Sequence, residues 1–123
     1  MQTLLNTPHE IIQQNILGAA AKARTRILNI LVLGMMAGSF IAMGAQSSSL
    51  AVHNISNIGL ARTLAGCIFP VGLMMVVLLG AELFTGDCLM AMGNAEGACT
   101  IWDLIKFLFV VYVGNFVGSI LLA

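Results

Sequence analysis

Three long stretches without a charged residue constrain the fold of this chain more than any other feature. Residues 27–45 and residues 63–81 each contain nineteen consecutive uncharged positions, and residues 107–123 contain seventeen. A hydrocarbon core of about 30 Å is crossed by about 20 helical residues, because each residue adds 1.5 Å. Only 8% of the 123 residues are charged, too few to cover the surface of a soluble domain. The sequence therefore predicts an all-α membrane protein with three spans, at about 27–46, 63–92 and 104–123.

The segment before the first span, residues 1–26, is expected to form an amphipathic helix on the cytoplasmic surface of the membrane. Thr7 and Glu10 have the spacing of a capping box, with Pro8 at the first helical position. Basic residues favour the cytoplasmic side of a membrane protein. Three of them precede the first span and only one occurs in each later loop region: Lys22, Arg24 and Arg26 against Arg62 and Lys106. A multi-pass protein of the cytoplasmic membrane, with its N-terminus inside, is therefore expected.

The second apolar stretch is longer than one membrane crossing requires. From residue 63 to residue 92 it would extend for about 45 Å as a continuous helix. One interpretation is a tilted or protruding helix, with Glu82 and Asp87 in the headgroup region. The other is a helix broken inside the bilayer between Gly80 and Gly86, where glycine permits backbone conformations that other residues avoid. The residues alone leave these two interpretations open.

If the helix is broken, Thr85 and Asp87 are suitable N-caps for the half-helix that follows. Irregular backbone at membrane depth is tolerated only where it is buried in protein or lines a wet cavity. The free N–H groups at the start of a half-helix also favour anions. A broken helix would thus indicate a pore-lining segment.

Small residues in the first and third spans predict close helix packing. Gly34 and Gly38 are four residues apart, as are Gly114 and Gly118, so each pair occupies one helix face. Asn115 is a polar residue inside the third span, and an interhelical hydrogen bond is its expected use, with pore lining as the alternative. These patterns predict contact without identifying the partner helix.

The run from Val77 to Gly86, VLLGAELFTG, resembles the signature of the formate/nitrite transporter family of pentameric anion channels. The similarity extends to Phe69 and Leu73 upstream and to the Pro-x-Glu start of the chain. The resemblance implies an aquaporin-like protomer made of two inverted three-helix repeats, each with one broken helix. This chain would be the first repeat, and its second span would be the broken one.

The resemblance also implies roles for residues of this segment. Leu73 and Leu83 would form a cytoplasmic constriction, and Phe69 and Phe84 a periplasmic one. Thr85 would offer its hydroxyl group to the anion between them. Apolar rings around a small polar chamber strip water from an ion, so a weak-acid anion passes more easily once it is protonated.

Three further residues would shape the loop. Gly80 and Gly86 would bracket it, and Glu82 would anchor it through backbone hydrogen bonds, because a carboxylate in an anion path repels the substrate. The resemblance implies that a lysine and a histidine in the second repeat carry out the proton chemistry. This sequence does not contain a second repeat and therefore lacks both of those residues. His9 and His53 are expected to be solvent-exposed. The chain is therefore expected to be the N-terminal half of a longer protein, or to pair with a separate second half.

The function expected from this resemblance is a channel or transporter for small monovalent anions of weak acids: formate, nitrite or hydrosulfide. The alternative is a membrane subunit or anchor that transports nothing. The sequence contains no metal-ligand constellation, nucleophile–base pair or phosphate loop, so neither an enzyme nor a cofactor is expected. Its formal net charge of zero gives no reason to expect a nucleic-acid partner.

Overall fold

The computed structural model describes residues 5–123, which form seven helices and no β-strand. In chain order they are α1 (Pro8–Ala23), α2 (Ile27–Val52), α3 (Ile58–Ile68), α4 (Pro70–Leu79), α5 (Phe84–Asp87), α6 (Met90–Ala95) and α7 (Ile101–Leu122). Three helical stretches are long and apolar enough to cross a membrane: Ile27–Val52, Ile58–Leu79 and Ile101–Leu122. The predicted all-α class with three candidate spans is confirmed.

Helix α1 begins with the predicted capping box. The Thr7 backbone N–H donates to Glu10 Oε2 at 2.6 Å, and the Glu10 N–H donates to Thr7 Oγ1 at 3.4 Å. The bond from the Thr7 backbone, followed by a second one from the Thr7 hydroxyl to Glu10 Oε2 at 2.9 Å, lowers the pKa of the Glu10 carboxyl. The first four residues of the predicted 1–26 segment lie outside the described residues. The surface position of that segment stays a prediction.

Two helix boundaries differ from those expected. Helix α2 continues to Val52, because residues 46–52 contain neither glycine nor proline and their polar serines leave the helical hydrogen bonds intact. The first helix therefore extends six residues beyond the predicted end of the first span at about residue 46, and residues 53–57 connect it to α3. Helix α3 begins at Ile58, five residues before the predicted start of the second span. The Asn57 side chain caps it by accepting a hydrogen bond from the Leu60 N–H at 3.1 Å.

Helices α3 and α4 follow one another almost without interruption. Phe69 lies between them and keeps right-handed helical angles, with φ −52° and ψ −41°. Pro70 occupies the first position of α4, where its missing N–H costs no hydrogen bond. The two helices therefore act as one candidate span.

The most extensive helix contact in the chain joins α2 to α7. A Cβ atom added to Gly38 would lie 2.1 Å from the Asn115 carbonyl oxygen, and one added to Gly118 would lie 2.0 Å from that of Met35. Such distances are possible only because glycine lacks a side chain. The close packing predicted from the glycine spacing is confirmed, and each glycine pair packs against the helix that carries the other pair.

Two serine hydroxyl groups tie the same pair of helices together. Ser39 donates to the carbonyl of Gly118, and Ser119 donates to the carbonyl of Gly38, each at 3.1 Å. Hydrogen bonds of this kind hold helices together in a medium that offers no water. The α2–α7 pair is thus the rigid frame to which the loop after α4 is attached.

Candidate pore loop

Helix α4 ends at Leu79, and the chain then leaves the helical path for four residues. Gly80 adopts the left-handed conformation, with φ 65° and ψ 32°, which a residue with a side chain adopts only at a cost. The Ala81 N–H still reaches back to the carbonyl of Val76 at 3.0 Å. Residues 81–83 are non-helical, and α5 begins at Phe84. We name residues 80–87 the pore loop, after the role that the family resemblance implies for them.

The predicted N-caps of the following half-helix are wrong. Thr85 lies inside α5 and Asp87 ends it, while Leu83 occupies the cap position and makes no side-chain bond. The reason is that the first N–H group of α5, that of Phe84, is bonded by a side chain of another helix and needs no local cap. It donates to Oδ1 of Asn115 in α7 at 3.0 Å.

Asn115 fixes the pore loop from the side of α7. Besides accepting from Phe84, its side-chain amide donates to the carbonyl of Glu82 at 2.9 Å and to the carbonyl of Gly34 at 2.8 Å. The Glu82 N–H donates to the carbonyl of Leu33 in α2 at 3.3 Å. The predicted interhelical hydrogen bond of Asn115 is confirmed, and the backbone N–H and carbonyl of Glu82 are both bonded to neighbouring helices.

The carboxylate of Glu82 has a role that the sequence did not indicate. Lys22, near the end of α1, bonds Glu82 Oε2 at 2.6 Å and Asp87 Oδ1 at 2.5 Å. Its Nζ also lies 5.6 Å from the centroid of the Phe107 ring, within cation–π range. The sequence contained one signal for this ion pair, namely two acidic residues five positions apart in an apolar stretch. Buried carboxylates require a cation, so a basic partner could have been expected.

The surroundings of Lys22 have opposing effects on its charge. Burial alone lowers the pKa of Lys22, but hydrogen bonds and charge attraction from Asp87 and Glu82 outweigh it. The pKa of Lys22 is therefore raised, and the side chain stays protonated throughout the neutral range. A permanent positive charge from α1 thus lies against the pore loop.

An open cleft of about 380 Å³ lies between α4, the pore loop and the end of α1. Three of the residues to which the family resemblance gives pore roles line this cleft: Leu73, Leu83 and Thr85. The remaining lining residues are Lys22, Val76, Val77, Gly80, Ala81, Glu82, Gly86 and Asp87. Thr85 is exposed, and Asp87 is buried. The cleft is apolar along α4 and polar along the pore loop.

The two phenylalanines of the expected second constriction lie away from the lining of this cleft. Phe69 is exposed at the junction of α3 and α4. Phe84 is half-buried, and its ring meets that of Tyr112 edge to face, with centroids 5.7 Å apart. Within the described chain, Phe84 therefore packs against α7.

The two glycines of the pore loop are not equivalent. Gly80 requires its left-handed backbone, whereas Gly86 lies within α5 without a positive φ. A Cβ atom on Gly86 would meet nothing within 4 Å, so its expected role of permitting an unusual conformation is wrong. Gly86 borders the cleft instead, where a side chain would reduce its volume.

The His, Cys, Asp and Glu side chains are the candidates for a metal site. Residues 5–123 contain no group of three His, Cys, Asp or Glu side chains able to hold a metal ion. His9 and His53 are exposed, as expected. The fold and the cleft therefore define a helical membrane protein whose distinctive feature is a non-helical segment held between helices.

Comparison with known proteins identifies the class more closely. The sequence model of the formate/nitrite transporter family matches residues 9–123, and the chain belongs to this family. A probable formate transporter of Methanothermobacter thermautotrophicus is 34% identical over 110 residues, which are 85% of this chain and 40% of that protein. A formate-nitrite transporter of Entamoeba histolytica is 40% identical over 102 residues, which are 80% of this chain and 29% of that protein.

The formate channel FocA of Haemophilus influenzae is 34% identical over 107 residues, covering 85% of this chain and 38% of the channel. The matched part of the chain therefore spans between about three tenths and two fifths of the length of these relatives. The family is one of channels and transporters.

Proposed function

We propose that this chain supplies one half of a pore that carries small monovalent anions of weak acids, namely formate, nitrite or hydrosulfide, across the cytoplasmic membrane. The observation that carries the proposal is the pore loop. Its backbone is fixed by Asn115 of α7, and its side chains share a cleft with Leu73 of α4. A simple membrane anchor has no use for such a loop.

The chemistry of the cleft supports anion passage. Leu73 and Leu83 present apolar surface, which makes an ion lose its water, while Thr85 is exposed and offers a hydroxyl group as a hydrogen-bond donor. We assign Leu73 and Leu83 to one constriction and Phe69 and Phe84 to a second one. For the second constriction, the ring of Phe84 must turn from Tyr112 toward the pore.

The pore loop is proposed to lie at membrane depth, as the break of an aquaporin-like repeat. Irregular backbone survives in a bilayer only when it is satisfied by protein or faces water. Asn115 and Leu33 supply the necessary partners for Phe84 and Glu82.

The complete pore requires a second three-helix unit of inverted orientation, from further sequence or from a separate chain. Large apolar residues along α4 are exposed, among them Met74, Val77 and Leu78, and they provide a surface for it. By the basic bias before α2, the N-terminus lies in the cytoplasm. We assign the assembled protein to the homopentameric arrangement implied by the family resemblance.

The test is anion flux into liposomes that contain the native polypeptide with its partner unit. Thr85→Val keeps the shape of the side chain and removes the hydroxyl, so flux of formate, nitrite and hydrosulfide should fall at least tenfold. Thr63→Val is the matched control, because the Thr63 hydroxyl bonds only the Gly59 carbonyl of its own helix. Equal flux in both variants would show that the Thr85 hydroxyl has no part in anion passage. No flux in the unsubstituted protein would favour the alternative function, a membrane anchor that transports nothing.

A further inference from the structure

The charges beside the pore loop do not balance. Lys22, Glu82 and Asp87, which we name the Lys22 cluster, place two carboxylates on one ammonium nitrogen, at 2.6 Å and 2.5 Å. With all three groups ionised the cluster carries one net negative charge. Only 18% of the Glu82 side chain and 2% of the Asp87 side chain is exposed, so water screens this charge poorly.

One oxygen of the cluster has no partner. Oδ2 of Asp87 is buried and accepts no hydrogen bond from the described residues. An ionised carboxylate with a buried, unpaired oxygen is costly, because it has lost water and gained nothing in exchange. The oxygen atoms of Glu82 and Asp87 that share the lysine are within about 5 Å of each other, so ionisation of both groups is further disfavoured.

The surrounding helices do not supply the missing positive charge. Asp103 and Lys106 of α7 line a small cleft on another side of Lys22, but their charges are opposite and sum to zero. Phe107 contributes only the face of its ring to Lys22. Among residues 5–123, the charged groups that line a cavity together with Lys22 are Glu82, Asp87, Asp103 and Lys106. A proton is the simplest species that restores neutrality.

We propose that the Lys22 cluster binds one exchangeable proton at neutral pH, shared between the carboxyl groups of Glu82 and Asp87. The proton is taken from water, forms one O–H bond and cancels the single excess negative charge. Glu82 and Asp87 both line the cleft with Thr85. The role of this proton rests on the proposed function. An anion that enters the cleft meets a neutral cluster and is not repelled by it.

Infrared spectroscopy detects such a proton directly, because a protonated carboxyl has a C=O stretch that a carboxylate lacks. The native polypeptide is placed in bilayers of ether-linked lipid, which have no ester carbonyl to obscure the band. At pH 7 we expect a band equivalent to one carboxylic acid per chain, which shifts in heavy water. Glu82→Gln and Asp87→Asn should each abolish it, since Lys22 balances the single remaining carboxylate. Glu96→Gln, at an exposed position, should retain it.

The absence of the band in the unsubstituted protein would overturn the proposal. Its retention in either Glu82→Gln or Asp87→Asn would also contradict a shared proton. Circular dichroism establishes that each variant is folded, and if one fails to fold, the other decides. The infrared measurement uses no anion, whereas the flux experiment with Thr85→Val makes no use of this proton. Failure of the proton site and failure of the pore are therefore distinguishable.

Discussion

The interface between α2 and α7 and the outer face of α4 are both apolar, yet they are built in opposite ways. Gly38 and Gly118 remove side chains from the interface, so that the two backbones touch and serine hydroxyls reach carbonyls of the opposite helix. The outer face of α4 carries large side chains instead, and Val77 and Leu78 are 72% and 82% exposed. One surface is specified by contact within the chain, and the other remains available to lipid or protein.

This difference shows how the pore loop is held. On one side it is fixed by Asn115, which belongs to the close-packed interface, and by Lys22 of α1. On the side of α4 it borders the open cleft. The rigid interface thus positions the loop, while the exposed face leaves room for whatever completes the pore. Disturbing the interface should therefore cost more than disturbing the loop.

Gly118→Ala should have the largest effect. The new Cβ would lie 2.0 Å from the backbone oxygen of Met35, and backbone cannot move aside as a flexible side chain does. We expect a loss of about 3 kcal/mol in the free energy of unfolding, the upper end for overpacked sites. Unfolding in detergent micelles, followed by circular dichroism, measures it.

The matched control for this substitution is Gly66→Ala in α3, where an added Cβ meets nothing within 4 Å. Because alanine favours the helix, this variant should be unchanged or more stable by about 0.5 kcal/mol. Similar losses in both variants would show that the close packing of α2 and α7 has been overestimated.

Asn115→Ala should have an intermediate effect. It removes the hydrogen bonds to the Phe84 N–H and to the carbonyls of Glu82 and Gly34, and leaves these buried groups without that partner. We expect a loss of about 2 kcal/mol and a freed loop, because unpaired buried groups keep their desolvation penalty. Hydrogen–deuterium exchange of the Phe84 amide should accelerate. Asn94→Ala, which loses only its bond to the Cys99 carbonyl, should leave that amide protected.

Lys22→Met should have the smallest effect at neutral pH, about 1 kcal/mol, because a third of the Lys22 side chain is exposed and a buried carboxylate that loses its cation takes up a proton instead of keeping its charge. The pH dependence is more diagnostic. The pKa of Lys22 is raised on folding. Its contribution is therefore complete below the unfolded lysine pKa of about 10.4 and is lost as pH rises through the higher folded pKa.

Thermal unfolding above pH 10 should thus show an alkaline loss of stability in the unsubstituted protein that Lys22→Met lacks. Lys106→Met, at an exposed position of α7, should retain that loss. If the alkaline loss persists undiminished in Lys22→Met, the ion pairs with Glu82 and Asp87 do not stabilise the folded chain.

The sequence predicted the parts of this structure that depend on local pattern. Uncharged runs predicted the candidate spans, Thr7 and Glu10 the capping box, and the paired glycines a close helix contact. Each of these signals is contained within a few turns of helix. The departure from helix after Leu79 was likewise signalled by Gly80, although its depth in the bilayer stays a proposal.

The sequence did not predict contacts between distant residues. Asp87 has the chemistry of an N-cap, but Lys22, sixty-five positions earlier, bonds its carboxylate. Asn115, thirty-one positions after Phe84, accepts the hydrogen bond of the Phe84 N–H at the start of α5. A capping side chain at Thr85 is therefore unnecessary. Such pairings depend on how the helices pack, and local spacing contains no information about them.

Thiol labelling at position 85 decides whether the pore loop lines the anion path. Thr85→Cys is introduced into the native polypeptide after Cys67, Cys88 and Cys99 are replaced by alanine. A membrane-impermeant methanethiosulfonate should then block formate flux, and excess formate should slow the labelling. Thr63→Cys, on an exposed face of α3, should leave flux intact when labelled. Complete labelling of Thr85→Cys with unaltered flux would show that the pore loop lies outside the anion path.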